Sequence, residues 1–467
     1  MDQRKWLRAL LCVGALLCVG ALLCVVALGL LRRCSSGSFQ QAAVAADSQL
    51  CSDIGRETVP KFFKKSLLKD CPKTQTFITG SQWIGVPGEL RGYQHVHKLY
   101  GRLPWARLFK PSIKLARSGI PLPAYLTFLL RHPLIRGLVQ GSSLCQVFCH
   151  QNKTVLGQGD TLKFPKLADT MEAIAEQGAE ALYSGQVGRD LIKDIEEAGG
   201  NLTMDDLKSF QVRVEDAWSI SLGKTRMHIP PPPAGGAAVA FILNLMKGFN
   251  LTSNSMNQDQ RIQTYHRYVE AAKFSNGQKP AMRDPVFNCV KNASYLLDEA
   301  FADHIRNRIS ANQTHSADYY NATPSLDRFG TTHVSVLAED GTAVSVTSTI
   351  NHITGLILNN ELADFCGRAD SMRAGEQPPS SMSPVILDST SGETLVIGGS
   401  GGSMITTAVA LSLINHLWFG LSLQEAIARP ILFVDSKNKL KFEPGFDMQG
   451  CISAVSDRRK MGGAAGY

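Results

Sequence analysis

The chain has 467 residues, enough for one large α/β domain or two ordinary ones. Hydrophobic residues make up 44% and charged residues 19%, with no biased tract past residue 40, which excludes a disordered scaffold and a fibrous protein. The formal charge of +8 is spread along the chain rather than gathered in one run, so no nucleic-acid partner is expected.

The first predicted element is Ala9 to Leu31, 23 residues without a charge and rich in Leu, Val, Ala and Gly. At ~1.5 Å per residue it is long enough to cross a hydrocarbon core of ~30 Å. It contains a tandem repeat, Leu-Cys-Val-Gly-Ala-Leu from Leu11 and again from Leu17. Arg4, Lys5 and Arg8 precede it; Arg32 and Arg33 follow. A cleaved leader has a shorter apolar core and a small-residue cleavage site, so the expectation is an uncleaved signal anchor. Residues 1–33 are then a cytoplasmic tip and transmembrane span of a single-pass type II plasma-membrane protein, with everything later extracellular or lumenal. Six Asn-X-Ser/Thr sequons, at Asn152, Asn201, Asn250, Asn292, Asn312 and Asn321, agree with that side of the membrane. All six precede residue 331, which divides the chain into segments of different exposure.

Of eleven cysteines, Cys12, Cys18, Cys24 and Cys34 lie in or beside the apolar run and seven lie beyond it. Seven is odd, so in an oxidising compartment at least one is unpaired or pairs between chains. Cys145, Cys149 and His150 could be read as metal ligands, but no second ligand pair stands nearby and a disulfide is the favoured reading.

From Met171 to Val214 the pattern is helical. One helix begins at Met171 and ends at Tyr183-Ser-Gly. Another carries Leu191, Ile192 and Ile195 and stops at Gly199-Gly200, and a third is capped by Thr203. Pro230 to Pro233, followed by Ala-Gly-Gly, reads as a rigid turn leading into an apolar helix from Ala237 to Met246. Residues 309–330 are polar and read as an exposed loop ending at Gly330. From Thr331 the pattern becomes a β-hairpin turning at Asp340-Gly341. A two-residue turn would mix its faces. A three-residue loop, Glu339 to Gly341 with Gly341 left-handed, sets Val334 against Val346 and Val336 against Val344. That register puts Thr331 across from Thr349, on one polar face with His333, Ser335 and Thr347. Further on, Thr394 to Ile397 reads as a buried strand feeding Gly398-Gly-Ser-Gly-Gly and a helix from Thr406 to Leu417.

The glycine-rich stretch matches the G-x-S-x-G of a nucleophile elbow. That reading fails, because the only histidine after Ser400 is His416, on the helix that follows immediately. A phosphate loop is equally weak without Gly-Lys-Ser/Thr. An oxyanion hole from the N–H groups of Gly401 and Gly402 remains. The remaining nucleophile is a threonine made N-terminal by chain cleavage. Its α-amine, with a pKa of about 7.7–8.0, is a base matched to working pH. Gly330 offers an unhindered carbonyl for the self-cleaving attack by Thr331.

The stretch from Gly330 to about Val434 resembles the gamma-glutamyltransferases (glutathione hydrolases). So do the closing Ala-Val-Ser-Asp-Arg-Arg-Lys and Ala-Ala-Gly-Tyr, the Pro-Pro-Pro-Pro-Ala-Gly-Gly turn, and Gln82-Trp-Ile-Gly-Val-Pro-Gly-Glu-Leu-Arg-Gly. The resemblance implies an α/β N-terminal-nucleophile hydrolase, an αββα sandwich. A heavy-subunit region (34–330) and a light-subunit region (331–467) would arise from one chain by autoproteolysis. It assigns Thr331 as nucleophile, Thr349 as the group orienting it, and Gly401 and Gly402 as oxyanion donors. Arg56, Ser380 and Ser381 would hold the substrate α-carboxylate, and Asn351, Glu361 and Asp364 its α-ammonium, a division that makes electrostatic sense. The implied substrates are glutathione, its S-conjugates such as leukotriene C4, and other gamma-glutamyl compounds. The implied acceptors are water, amino acids or dipeptides, and the implied chemistry needs no metal or dissociable cofactor.

The chain departs from the family at three places. It passes straight from Cys51-Ser-Asp-Ile-Gly to Arg56, without the helix, Gly-Gly-Gly segment and strand the family places there. The loop after Asn351 is short, and the tail between Phe446 and Ser453 is trimmed. Two outcomes therefore stay open at the level of sequence: an active enzyme, or an uncleaved membrane glycoprotein that keeps the fold without catalysis.

Overall fold

A computed structural model of the protein describes residues 58–71, 80–288, 293–323, 331–349, 352–353 and 357–446. The predicted anchor, Arg56, Asn292, Gly330, Asn351 and the C-terminal tail lie outside the described residues. Among the described residues no helix is long and apolar enough to cross a membrane.

Four antiparallel strands form the main sheet. The strands Trp218–Leu222 (β1) and Thr225–Ile229 (β2) are joined by a tight turn at Gly223, whose φ of +70° is left-handed. Their neighbours come from beyond Thr331: Val385–Ser389 (β5) pairs with β2, and Thr394–Ile397 (β6) pairs with β5 at the edge. Thr394–Ile397, expected as a buried strand, is an edge strand and only Ile397 in it is fully buried. Ile220, Leu222, Met227, Ile229, Val385 and Leu387 turn one face of the sheet into the main core. There they meet the helices Gly236–Lys247 (α2), Gln258–Gln278 (α3) and Ile405–Leu417 (α4). Almost every side chain of α2 is buried, as its uninterrupted apolar sequence demands.

The second sheet is, among the described residues, the single hairpin Thr332–Leu337 (β3) and Ala343–Ser348 (β4). The register is the one the alternation requires: Val334 opposite Val346 and Val336 opposite Val344, with Gly341 at φ +84°. The polar face is not turned to solvent. Ser345 Oγ donates to the Ile397 carbonyl at 3.2 Å, so this face lies on the end of β6. From the opposite face Ser348 Oγ donates to Glu89 Oε2 at 2.9 Å, reaching the helix Glu89–Tyr100 (α1). Helices, sheet, hairpin and helices follow one another in that order.

A second core gathers helices between residues 89 and 209. The predicted helix at Met171 starts earlier, at Pro165, whose missing N–H costs nothing at a helix start, and breaks at Gly178, with φ +75°, before a short turn at Glu180–Tyr183. Thr203 caps its helix as expected, in a reciprocal box with Asp206. Residues 309–323 are less exposed than their polarity suggests. Tyr320 is buried and donates to the buried Glu270 at 2.6 Å, beside Lys273, whose pKa burial pushes down against the pull of Glu270. A charged residue so buried needs such partners. Cys145 and Cys149 form a disulfide, as does the pair Cys71 and Cys366. Asn152, Asn201, Asn250, Asn312 and Asn321 are all exposed.

Candidate active site

The strand register brings the candidate residues to one end of the main sheet. Val385, the first residue of β5, is paired with Ile397, the last of β6, and His228 near the end of β2 is paired with Ile386. Three connections therefore leave the sheet together: the Pro-rich turn after β2, the Ser380-Ser381 segment before β5, and the glycine loop after β6. The hairpin points the same way. Ser345, opposite Ser335, meets Ile397, and one step on, His333, opposite Thr347, meets Gly398. The ladder ends at Thr332 opposite Ser348, and Thr331 and Thr349 are the residues immediately beyond that pair.

Thr331 itself has φ +90°. For a β-branched residue this is a true outlier, a conformation costing roughly 1–3 kcal/mol unless its surroundings impose it. His333 supports the strand start. Its Nδ1 lies 2.8 Å from Thr347 Oγ1 and its Nε2 3.0 Å from Ser335 Oγ. Burial lowers its pKa to about 4, so the ring is neutral at working pH.

The glycine loop has its own constraint. Gly401 at φ +119° and Gly402 at φ +60° take backbone shapes that side chains resist. Gly402 opens the 3-10 turn that runs into α4, so its N–H has no acceptor within the helix, and the helix dipole adds to its positive character. Such donors suit a developing oxyanion. His416, on α4, spends its Nδ1 on the Leu421 carbonyl at 2.8 Å, in keeping with the failure of the elbow reading.

Ser380 and Ser381 are held by the Pro-rich turn: Ser380 N–H donates to Pro233 O at 2.8 Å, and Gly235 N–H to Met382 O at 2.8 Å. The approach is close enough that a Cβ on Gly235 would stand 2.8 Å from Ser381 O. Both hydroxyl oxygens already accept a hydrogen bond, Ser380 Oγ from Met382 N–H at 3.2 Å and Ser381 Oγ from Arg368 Nη2 at 3.0 Å. Arginine is only a donor, so each hydroxyl keeps its own proton to donate to a further acceptor.

Glu361 and Asp364 lie on one 3-10 turn, Glu361–Phe365. Just before it, the buried Asn359 makes a reciprocal pair with Gly85, its Oδ1 accepting from Gly85 N–H at 2.9 Å and its Nδ2 donating to Gly85 O at 3.1 Å. That pair seats the acidic turn against the Trp83-Ile-Gly-Val-Pro motif. Arg368 joins the two halves, because its backbone N–H donates to Phe365 O while its guanidinium reaches Pro379 O and Ser381. The sequence motifs assign no role to Arg368, Asn359 or Glu89, although Glu89 lies within the Gln82-Trp-Ile-Gly-Val-Pro-Gly-Glu-Leu-Arg-Gly stretch. Burial, the larger influence on it, raises the pKa of Glu89. Among the described residues no group of three His, Cys, Asp or Glu side chains could hold a metal ion.

Comparison with known proteins agrees with this architecture. The family model described as gamma-glutamyltranspeptidase matches residues 22–467. The chain is 38% identical to glutathione hydrolase 5 proenzyme of Rattus norvegicus, over 93% of this chain and 94% of that one, and 37% identical to the Homo sapiens protein of the same name with the same coverage. Among solved structures, cephalosporin acylase from Bacillus halodurans superposes with a TM-score of 0.75 at 20% identity, covering 93% of this chain and 83% of its own. The gamma-glutamyltranspeptidase of Helicobacter pylori superposes with a TM-score of 0.53 at 23% identity, covering 66% of this chain and 87% of its own. These neighbours share the N-terminal-nucleophile hydrolase fold. The chain belongs to the gamma-glutamyltranspeptidase family and is a gamma-glutamyl hydrolase/transferase enzyme.

Proposed function

We propose that the enzyme cleaves the gamma-glutamyl bond of glutathione and of glutathione S-conjugates such as leukotriene C4 through an acyl-enzyme on Thr331. The observation that carries this reading is the backbone of Thr331, a β-branched residue at φ +90° at the start of β3. The angle φ is defined by the bond to the preceding carbonyl carbon. Cutting the Gly330–Thr331 peptide abolishes it, and the strain goes with it.

In maturation the Thr331 hydroxyl attacks the Gly330 carbonyl, the amide becomes an ester, and water hydrolyses the ester to leave a free α-amine. In turnover that amine takes the hydroxyl proton as Thr331 Oγ1 attacks the gamma-glutamyl carbonyl. Gly401 and Gly402 N–H groups meet the oxyanion, Thr349 orients the nucleophile, and the amine proton passes to the departing amine. Water or the amine of an acceptor amino acid or dipeptide then attacks the ester. Arg56, Ser380 and Ser381 take the substrate carboxylate; Asn351, Glu361 and Asp364 take its ammonium. Residues 9–31 anchor the enzyme in the plasma membrane with the catalytic region outside.

The test is hydrolysis of a gamma-glutamyl anilide by the wild type and by Thr331→Ala. The reading requires the variant to lose at least about a thousandfold in rate, in line with removal of a covalent nucleophile. Equal rates would remove Thr331 from the mechanism.

A further inference from the structure

Cys71 and Cys366 lie on opposite sides of Thr331, and they are joined, with Cα atoms 5.7 Å apart across a sequence separation of 295. We infer that in the matured enzyme this bridge links the two polypeptides covalently and fixes the Glu361–Phe365 turn that faces the substrate ammonium. The first part rests on the proposed cut at Thr331 and the second on the proposed ammonium grip of Glu361 and Asp364.

The position of the bridge decides what it does. General assembly of the two polypeptides does not need it, since β2 from one and β5 from the other are neighbours in the same sheet, over four paired residues. Cys366 instead follows Phe365 directly and forms the C-terminal cap of the acidic turn. Around the bridge lies a small core that draws Val59, Leu67 and Trp83 from before Thr331 and Leu362, Ala363, Phe365 and Met372 from after it. This core is separate from the two large ones. Val59 completes the connection through its backbone, donating to Glu376 O and accepting from Gly375 N–H, both at 2.9 Å. At its start the short 3-10 turn is seated by Asn359, and at its end the bridge and this satellite core hold it. The chain entering Val59 is the one that carries Arg56. One covalent bond therefore ties the acidic turn to the segment that continues from Val59.

The bridge is tested on full-length protein from a secretory expression system. On a reducing gel the wild type should give two fragments, and on a non-reducing gel one band of full mass. Cys71→Ser should give two fragments on both. Two fragments from the wild type without reductant would overturn the covalent link. A single band with reductant would instead show that the cut at Thr331 has failed. In that event proteolytic mapping of the alkylated, unreduced chain decides the bridge: a joined Cys71–Cys366 peptide upholds it, and its absence overturns it. For the positioning role, Cys71→Ser and Cys366→Ser should each raise KM for a gamma-glutamyl anilide about tenfold while kcat stays within about twofold, because a misplaced ammonium grip weakens binding before it slows chemistry. A Cys145→Ser, Cys149→Ser double variant should leave KM unchanged. Unaltered KM in both single variants, or the same change in the control, would sink the positioning role.

Discussion

The imidazole of His333 lies on the backbone of Gly398, so close that a methyl group added there would stand 2.1 Å from the ring Cε1. This contact joins the hairpin that starts at Thr331 to the loop that carries Gly401 and Gly402. It also explains why the first residue of the loop must be glycine. Gly398→Ala should therefore push the hairpin away from the loop. We expect a loss of about 1–3 kcal/mol in stability, as for overpacked interiors, and a drop in gamma-glutamyl anilide hydrolysis of a hundredfold or more. Thermal melting and initial rates check both. A variant with wild-type activity would separate the nucleophile from the glycine loop.

His333 also makes the fold acid-sensitive. Its pKa is lowered to about 4 in the folded protein, below the ordinary value of 6.5. The unfolded chain binds the proton first, so the contribution of neutral His333 is complete above about pH 6.5 and is lost as pH falls from there toward about pH 4. The loss should be on the order of 2 kcal/mol, allowing for partial solvent access. Denaturant melts at pH 7, 6, 5 and 4 measure it, and His333→Gln should flatten that part of the profile. An unchanged profile in the variant would assign the acid sensitivity elsewhere.

Arg368 is expected to act on binding. Its guanidinium donates to Ser381 Oγ at 3.0 Å and to Pro379 O at 3.2 Å. In Arg368→Met the Ser381 hydroxyl is free to turn its proton away from the substrate carboxylate. KM for a gamma-glutamyl anilide should rise about tenfold, the cost of one hydrogen bond to a charged group, with kcat within about twofold. Arg368→Lys should recover part of the loss, since a single donor can still reach Ser381. Equal falls in kcat for both variants would point to a role in the chemical step.

How much of this was legible beforehand depended on distance along the chain. The hairpin register could be read because alternation has period two and Gly341 fixes the loop, all within eighteen residues of Thr331. The Thr203 cap and the Pro-rich turn were readable for the same local reason. The start of the helix at Pro165 was not, because the apolar rhythm strengthens only at Met171 while packing extends the helix backward. Asn359 meets Gly85 across 274 positions, and Ser348 meets Glu89 across 259, contacts that leave no periodic trace in either segment. The order of the main sheet, with β2 beside β5, and the pairing of Cys71 with Cys366 are likewise products of long-range packing. The candidate residues themselves came from motif resemblance; the register adds that the hairpin start, the Ser380-Ser381 segment and the glycine loop lie toward one end of the main sheet.

The central claim is that residue 331 becomes a chain terminus that carries both nucleophile and base. Sequencing the N-terminus of the smaller fragment from purified wild-type protein tests it most directly. The account predicts a fragment beginning Thr-Thr-His-Val-Ser, absent from Thr331→Ala. A chain that stays whole after purification, or a fragment that begins at any other residue, would contradict it.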